Sequence, residues 1–140
     1  MRDIRIATAQ FEARDGDKEY NFTRIEQLAR RAVDAGAEIV SFHECCICGY
    51  SFLQELARDE IEALAEPVPD GPSTERLCDL AKQLSVGLLA GLIEQENGKL
   101  FNTYLAVSPE GYVAKFRKLH AFVSPHLSWG DEFCIFDLCG

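Results

Sequence analysis

Two residues at the ends of short apolar runs, Glu44 and Lys118, are of types that could do chemistry together. In Glu38-Ile-Val-Ser-Phe-His-Glu44 the two-residue period of a strand puts Val40, Phe42 and Glu44 on one face and Ile39, Ser41 and His43 on the other. In Val113-Ala-Lys-Phe-Arg-Lys118 the same period groups Ala114, Phe116 and Lys118 against Lys115 and Arg117. An ionised carboxylate or ammonium closing an apolar strand face is costly unless paired, and strand ends feeding loops are where α/β proteins assemble active sites. A Glu–Lys pair in such a place is suggestive of a site. A surface ion pair, or two solvated strand ends, fits the same periodicity.

Three of the six cysteines crowd together as Cys45, Cys46 and Cys48, directly after Glu44. The Cys45 to Cys48 spacing is that of metal and redox motifs, but a closed zinc site needs four ligands and no second spaced pair exists. A cysteine-cluster metal protein is the weakest reading. We expect these residues to be small apolar fillers behind the base, and we expect no metal and no cofactor.

The elements that must position Glu44 and Lys118 follow from periodicity. Residues 4–11 read as a first strand, and residues 17–35 as an amphipathic helix with Ile25, Leu28, Ala29, Ala32 and Val33 on its inner stripe. Residues 38–44 form a second strand, so a parallel crossover is implied. A helical stretch over 51–66 is broken by Pro67 and Pro69, and a further helix opens at Pro72. Residues 87–93 supply a third strand. After an Asn97-Gly98 turn, residues 102–107 and 112–118 make an antiparallel hairpin around Ser108-Pro109-Glu110-Gly111, and 133–138 add a last strand. The result is a mixed sheet with amphipathic helices over one face. The other face needs a cover that 140 residues do not obviously provide.

Composition sets the outer limits. A chain of 140 residues, 47% hydrophobic and 26% charged, is one compact unit or a piece of a larger one. A net charge of −9 with scattered basic residues disfavours nucleic acid and anionic membranes, leaving small neutral or cationic substrates open. No apolar run approaches the ~18 residues of a membrane span, and Met1-Arg2-Asp3 does not open a signal peptide, so we expect a cytoplasmic protein.

Several segments together resemble the nitrilase, or carbon–nitrogen hydrolase, family. Phe42-His43-Glu44 followed by Gly49-Tyr50 is similar to the segment carrying that family's catalytic glutamate, with His43 in place of the commoner proline. Lys115-Phe-Arg-Lys118-Leu-His120 is similar to its Tyr-Arg-Lys-x-His segment and is the more specific match. Thr8-Ala9-Gln10, Asn102 with the Ser-Pro-Glu-Gly turn, and Gly130-Asp131-Glu132-Phe133 agree in order, so the resemblance spans nearly the whole chain.

The resemblance implies an αββα four-layer sandwich, about half of it present, with residues 1–140 the N-terminal part of a single domain. It implies a hydrolase cleaving a non-peptide C–N bond of a small amide, nitrile or N-carbamoyl compound through a Glu-Lys-Cys triad, and usually a dimer or larger homo-oligomer. Glu44 would be the base and Lys118 the donor to the developing anion. The nucleophile would lie beyond Gly140, since Cys139 lacks the aromatic-acid pair that follows it in the family. On this reading the 140 residues alone are inactive. A second family glutamate has no counterpart between His120 and Trp129, so His126, with Tyr50, is a candidate substrate contact. The alternative is a non-catalytic binding or regulatory module of the same fold.

Overall fold

The computed structural model describes residues 3–140. Strand β1 (Ile6–Ala9) leads into helix α1 (Lys18–Asp34), whose first turn is capped by the Asp17 carboxylate accepting the Tyr20 N–H at 2.9 Å. Strand β2 (Ile39–Phe42) pairs parallel with β1, Ile6 facing Ile39. Residues 51–66, expected as one helix, divide into a 3₁₀ turn (Ser51–Gln54) and helix α2 (Arg58–Leu64), where the Glu60 carboxylate accepts the Ala57 N–H at 2.8 Å. Helix α3 (Pro72–Leu84) begins, as the sequence suggests, with proline in its first turn.

Strands β3 (Gly87–Glu96), β4 (Lys99–Ser108) and β5 (Gly111–Arg117) form an antiparallel meander. Its first turn is the two-residue Asn97-Gly98, both with positive φ (51° and 73°), the conformation for which Asn-Gly is suited. The sheet order is β1-β2-β3-β4-β5, and the short β6 (Leu127–Ser128) adds to β4. The strand expected over 133–138 does not form. A strand needs a neighbour to complete its ladder, and Phe133 and Ile135 stand 87% and 99% exposed.

The main core lies between the sheet and α1 with α3. Val40, Phe42, Leu88, Ala90, Leu92, Leu105 and Val107 meet Phe22, Ile25, Ala29, Leu77 and Ala81 there. The alternate positions, including Ser41, Leu89, Tyr104 and Phe116, face the other side and are only half-buried. Helices α1 and α3 thus cover one face as the sequence implies. By contrast, α2 and the 3₁₀ turn pack Ile61 and Leu53 with Cys45, Cys48, Ile93 and Leu100 in a smaller second cluster.

Gly91 is the contact on which the site's geometry turns. A Cβ there would sit 2.4 Å from the backbone nitrogen of Cys45, so the turn after β2 can lie against β3 only because Gly91 has no side chain. The Gly91 carbonyl in turn accepts the Ile47 N–H at 3.1 Å. Gly91→Ala is therefore expected to cost about 1–3 kcal/mol through overpacking against backbone. It should also lift the Glu44 turn away from the sheet, read by urea denaturation and by the backbone amide shifts of residues 44–48.

Candidate active site

Regular strand geometry ends at Phe42, two residues before Glu44. The chain then turns through residues 43–49, with Cys45 at a left-handed φ of 49° and the Cys48 and Gly49 N–H groups both returning to the Cys45 carbonyl. This overturns the expectation that Glu44 would follow Phe42. Phe42 packs into the helix-covered core with its ring 6.4 Å from that of Phe11, whereas the Glu44 carboxylate emerges on the opposite side. There it meets Asn102, on the Tyr104 face of β4, and Lys118. On β5 the alternation is kept, with Lys115 and Arg117 turned to a buried carboxylate, Glu94, and Lys118 turned away from it.

Lys118 Nζ donates to Glu44 Oε1 at 2.6 Å, and Asn102 Nδ2 donates to the same oxygen at 2.5 Å. Glu44, Asn102, Tyr104, Phe116 and Lys118 line a concave site of about 360 Å³, which Phe42, its ring in the core, borders where its backbone carbonyl meets the Tyr104 hydroxyl. Its floor is ordered by Tyr104, whose hydroxyl donates to the Phe42 carbonyl and lies 2.8 Å from Ser41 Oγ. The Lys118 ammonium also stands 5.4 Å from the centroid of the Tyr50 ring and 4.9 Å from that of Phe122, within cation–π range.

Partial burial pushes the Lys118 pKa down, but the hydrogen bond and charge of Glu44, with a smaller contribution from Tyr50, outweigh it and hold the pKa above its ordinary value. The ammonium is thus the standing state of Lys118 across the neutral range. Replacing Glu44 by glutamine removes the charge that raises it, so the Lys118 pKa is expected to fall. Titration of the Lys118 ¹⁵Nζ resonance checks this.

Of the other residues singled out, Tyr50 lies beside Lys118, but His126 is half-buried in the loop before β6, with its N–H on Ser124 Oγ at 3.4 Å, and does not line the pocket. Tyr104 and Phe122 are site residues that the sequence did not single out, and Asn102 entered there only as part of the resemblance, with no role of its own. Asn102 and Tyr104 alternate on one face of β4, and that spacing was their available signal.

Cys45, Cys46 and Cys48 are wholly buried, consistent with filler. Burial pushes the Cys46 thiol up to about 12. A hydrogen bond with Cys48, then burial, pushes the Cys45 thiol up, while the same bond from Cys45 draws the Cys48 thiol down. None of the three lines the pocket. Among the described residues no group of three or more His, Cys, Asp or Glu side chains is placed to hold a metal ion. Cys139 is at the wrong end of the sheet: its Sγ lies against Gly87, which pairs with Ile39, at the start of β2. No described helix is long and apolar enough to cross a membrane.

This geometry can be set beside known proteins. The chain is 30% identical over 138 residues to a nitrilase of Pyrococcus abyssi, covering 96% of this chain and 52% of that protein. It is 35% identical over 150 residues to the human omega-amidase NIT2, covering 98% and 51%. The chain thus spans about half the length of the curated relatives it matches. Among solved structures, Saccharomyces cerevisiae Nit3, a member of the nitrilase superfamily, superposes with a TM-score of 0.80 at 23% identity, over 97% of this chain and 52% of that one. An N-terminal amidase superposes at 0.77 and 20% identity, over 91% and 31%. These two likenesses establish the fold as part of the sandwich expected from the sequence. A profile of the carbon-nitrogen hydrolase family matches residues 5–137, and with the two sequence relatives it shows that this chain belongs to the carbon-nitrogen hydrolase family.

Proposed function

We propose that these residues form the base- and lysine-bearing part of a hydrolase that cleaves a non-peptide C–N bond in a small amide, nitrile or N-carbamoyl compound. On this reading residues 1–140 are the N-terminal part of a single domain, and the cysteine nucleophile is carried outside them. The observation that supports it is the Glu44 carboxylate gripped by Lys118 at 2.6 Å and Asn102 at 2.5 Å in an open, aromatic-floored pocket that no cysteine lines.

The chemistry follows from the parts. Glu44 takes the proton of an incoming thiol, the S–H electron pair stays on sulfur, and the thiolate attacks the carbonyl or nitrile carbon. Negative charge then grows on the substrate oxygen or nitrogen, where the Lys118 ammonium stabilises it.

The test is ammonia release from simple amides and nitriles. The 140-residue chain alone is expected to give none above a Glu44→Ala control. The same chain joined to a family segment bearing the cysteine is expected to turn over. Release by the short chain alone, or none from the joined protein, would sink the proposal.

A further inference from the structure

Asn102 makes three contacts that tie together the two segments carrying Glu44 and Lys118. We propose that Asn102 is the positioning residue of the site and that it determines which oxygen of Glu44 receives the proton; this rests on the reading of Glu44 as the base. Asn102 lies on β4 opposite Ile93 and is 5% exposed. Its Nδ2 donates to Glu44 Oε1, its Oδ1 accepts the Cys45 thiol at 3.4 Å, and its backbone carbonyl accepts the Lys118 N–H at 2.8 Å. One buried residue therefore holds the turn carrying the carboxylate and the strand end carrying the ammonium.

The orientation of the amide is dictated chemically. Turned over, it would set a carbonyl oxygen against a carboxylate oxygen, two acceptors with no proton between them. With Nδ2 toward Glu44, donor meets acceptor on both sides. Lys118 Nζ takes the same oxygen as Asn102. Among the described residues no hydrogen bond reaches Oε2.

This asymmetry selects the reactive oxygen. Protonating Oε1 would break a charge-assisted bond, while Oε2 keeps its lone pairs free. Oε2 thus receives the thiol proton: the S–H bond breaks, the Oε2–H bond forms, and the electron pair stays on sulfur. The need for an anchor is plain from the setting, because Glu44 stands beyond the end of β2 with its side chain 41% exposed. An unanchored carboxylate there would spread over several rotamers.

The measurement is side-chain amide NMR on the ¹⁵N-labelled 140-residue chain. One Asn102 Nδ2 proton is expected to lie downfield and to exchange with water at least ~10-fold more slowly than the amide of Asn97 in its exposed turn. Glu44→Ala is expected to abolish both features, whereas Lys118→Met leaves them. Asn102→Ala is expected to lower the Lys118 pKa, because the carboxylate is no longer held under the ammonium.

An Asn102 amide that exchanges like that of Asn97, or one indifferent to Glu44→Ala, overturns the proposal. Neither result depends on an Asn102 variant folding. The two readings also fail separately. A protected amide in a joined protein that hydrolyses nothing overturns the Oε2 assignment through the base. An unprotected amide in a protein that does hydrolyse overturns it through the anchor alone.

Discussion

Glu44→Gln in the protein joined to its cysteine-bearing segment is expected to lower kcat by about 10²–10⁴-fold, the usual contribution of a positioned general base. The glutamine keeps the shape and still accepts from Asn102, but it takes up no proton from a thiol. KM should change little, since substrate does not depend on the charge of Glu44 for binding. Lys118→Met removes charge stabilisation and is expected to cost about 10²–10³-fold. The double variant should fall well short of the product of the two losses, because base and ammonium act as a unit. Steady-state ammonia release measures all three. The fold is not the cause of the loss: the pair is 41% and 29% exposed on its two sides, and open ion pairs contribute roughly 0–1 kcal/mol. Thermal unfolding of Glu44→Gln should therefore track the parent.

The opposite balance is expected at Glu94. This carboxylate is fully buried and accepts from Thr103 Oγ1 at 2.6 Å, Arg117 Nε at 2.9 Å and Lys115 Nζ. Glu94→Gln leaves the Lys115 and Arg117 cations without their buried partner, which is expected to cost about 3 kcal/mol. The value sits at the low end for a broken buried pair because Glu96 remains, 2.9 Å from Arg117 Nη2 and 3.5 Å from Lys115 Nζ.

The pH dependence has a definite sign. Burial alone would raise the Glu94 pKa, but the bonds from Arg117, Lys115 and Thr103 outweigh it, so the carboxyl titrates below its ordinary value of 4.5. A depressed folded-state pKa stabilises above the unfolded value and loses that contribution as pH falls through the folded one. The deficit of Glu94→Gln should be full near pH 7 and shrink below about pH 4.5. Urea titrations at pH 7 and pH 3 check both the size and the trend.

What the sequence disclosed and what it hid have physical reasons. Lys118 was legible because β5 stays regular to Arg117, so strand alternation still holds one residue further on. Glu44 was legible by type and resemblance but not by direction, since β2 stops at Phe42 and a left-handed Cys45 resets the path. Asn102 was noticed only as part of a family likeness. Its contacts with Cys45 and Glu44 cross 57 and 58 residues of chain, and local spacing carries no record of such encounters. The 133–138 segment has strand-forming residues but no ladder partner. His126 was nominated to fill a missing acid, a substitution that spacing alone cannot position.

The meander described above has a kinetic consequence. Strands β3, β4 and β5 are joined by the Asn97-Gly98 and Pro109-Glu110 turns, so their pairings are local and their loops close at small entropic cost. Strands β1 and β2 reach the sheet only through crossovers that carry helices, the slower kind of pairing. Asn102 and Lys118 belong to the fast-closing part and Glu44 to the slow one. Topology thus favours a chain that lays down the lysine and the asparagine first and receives the carboxylate last. The contact between Glu44 and Lys118 then forms only once β2 has docked on β3, and it does not wait for β1 at the sheet's edge.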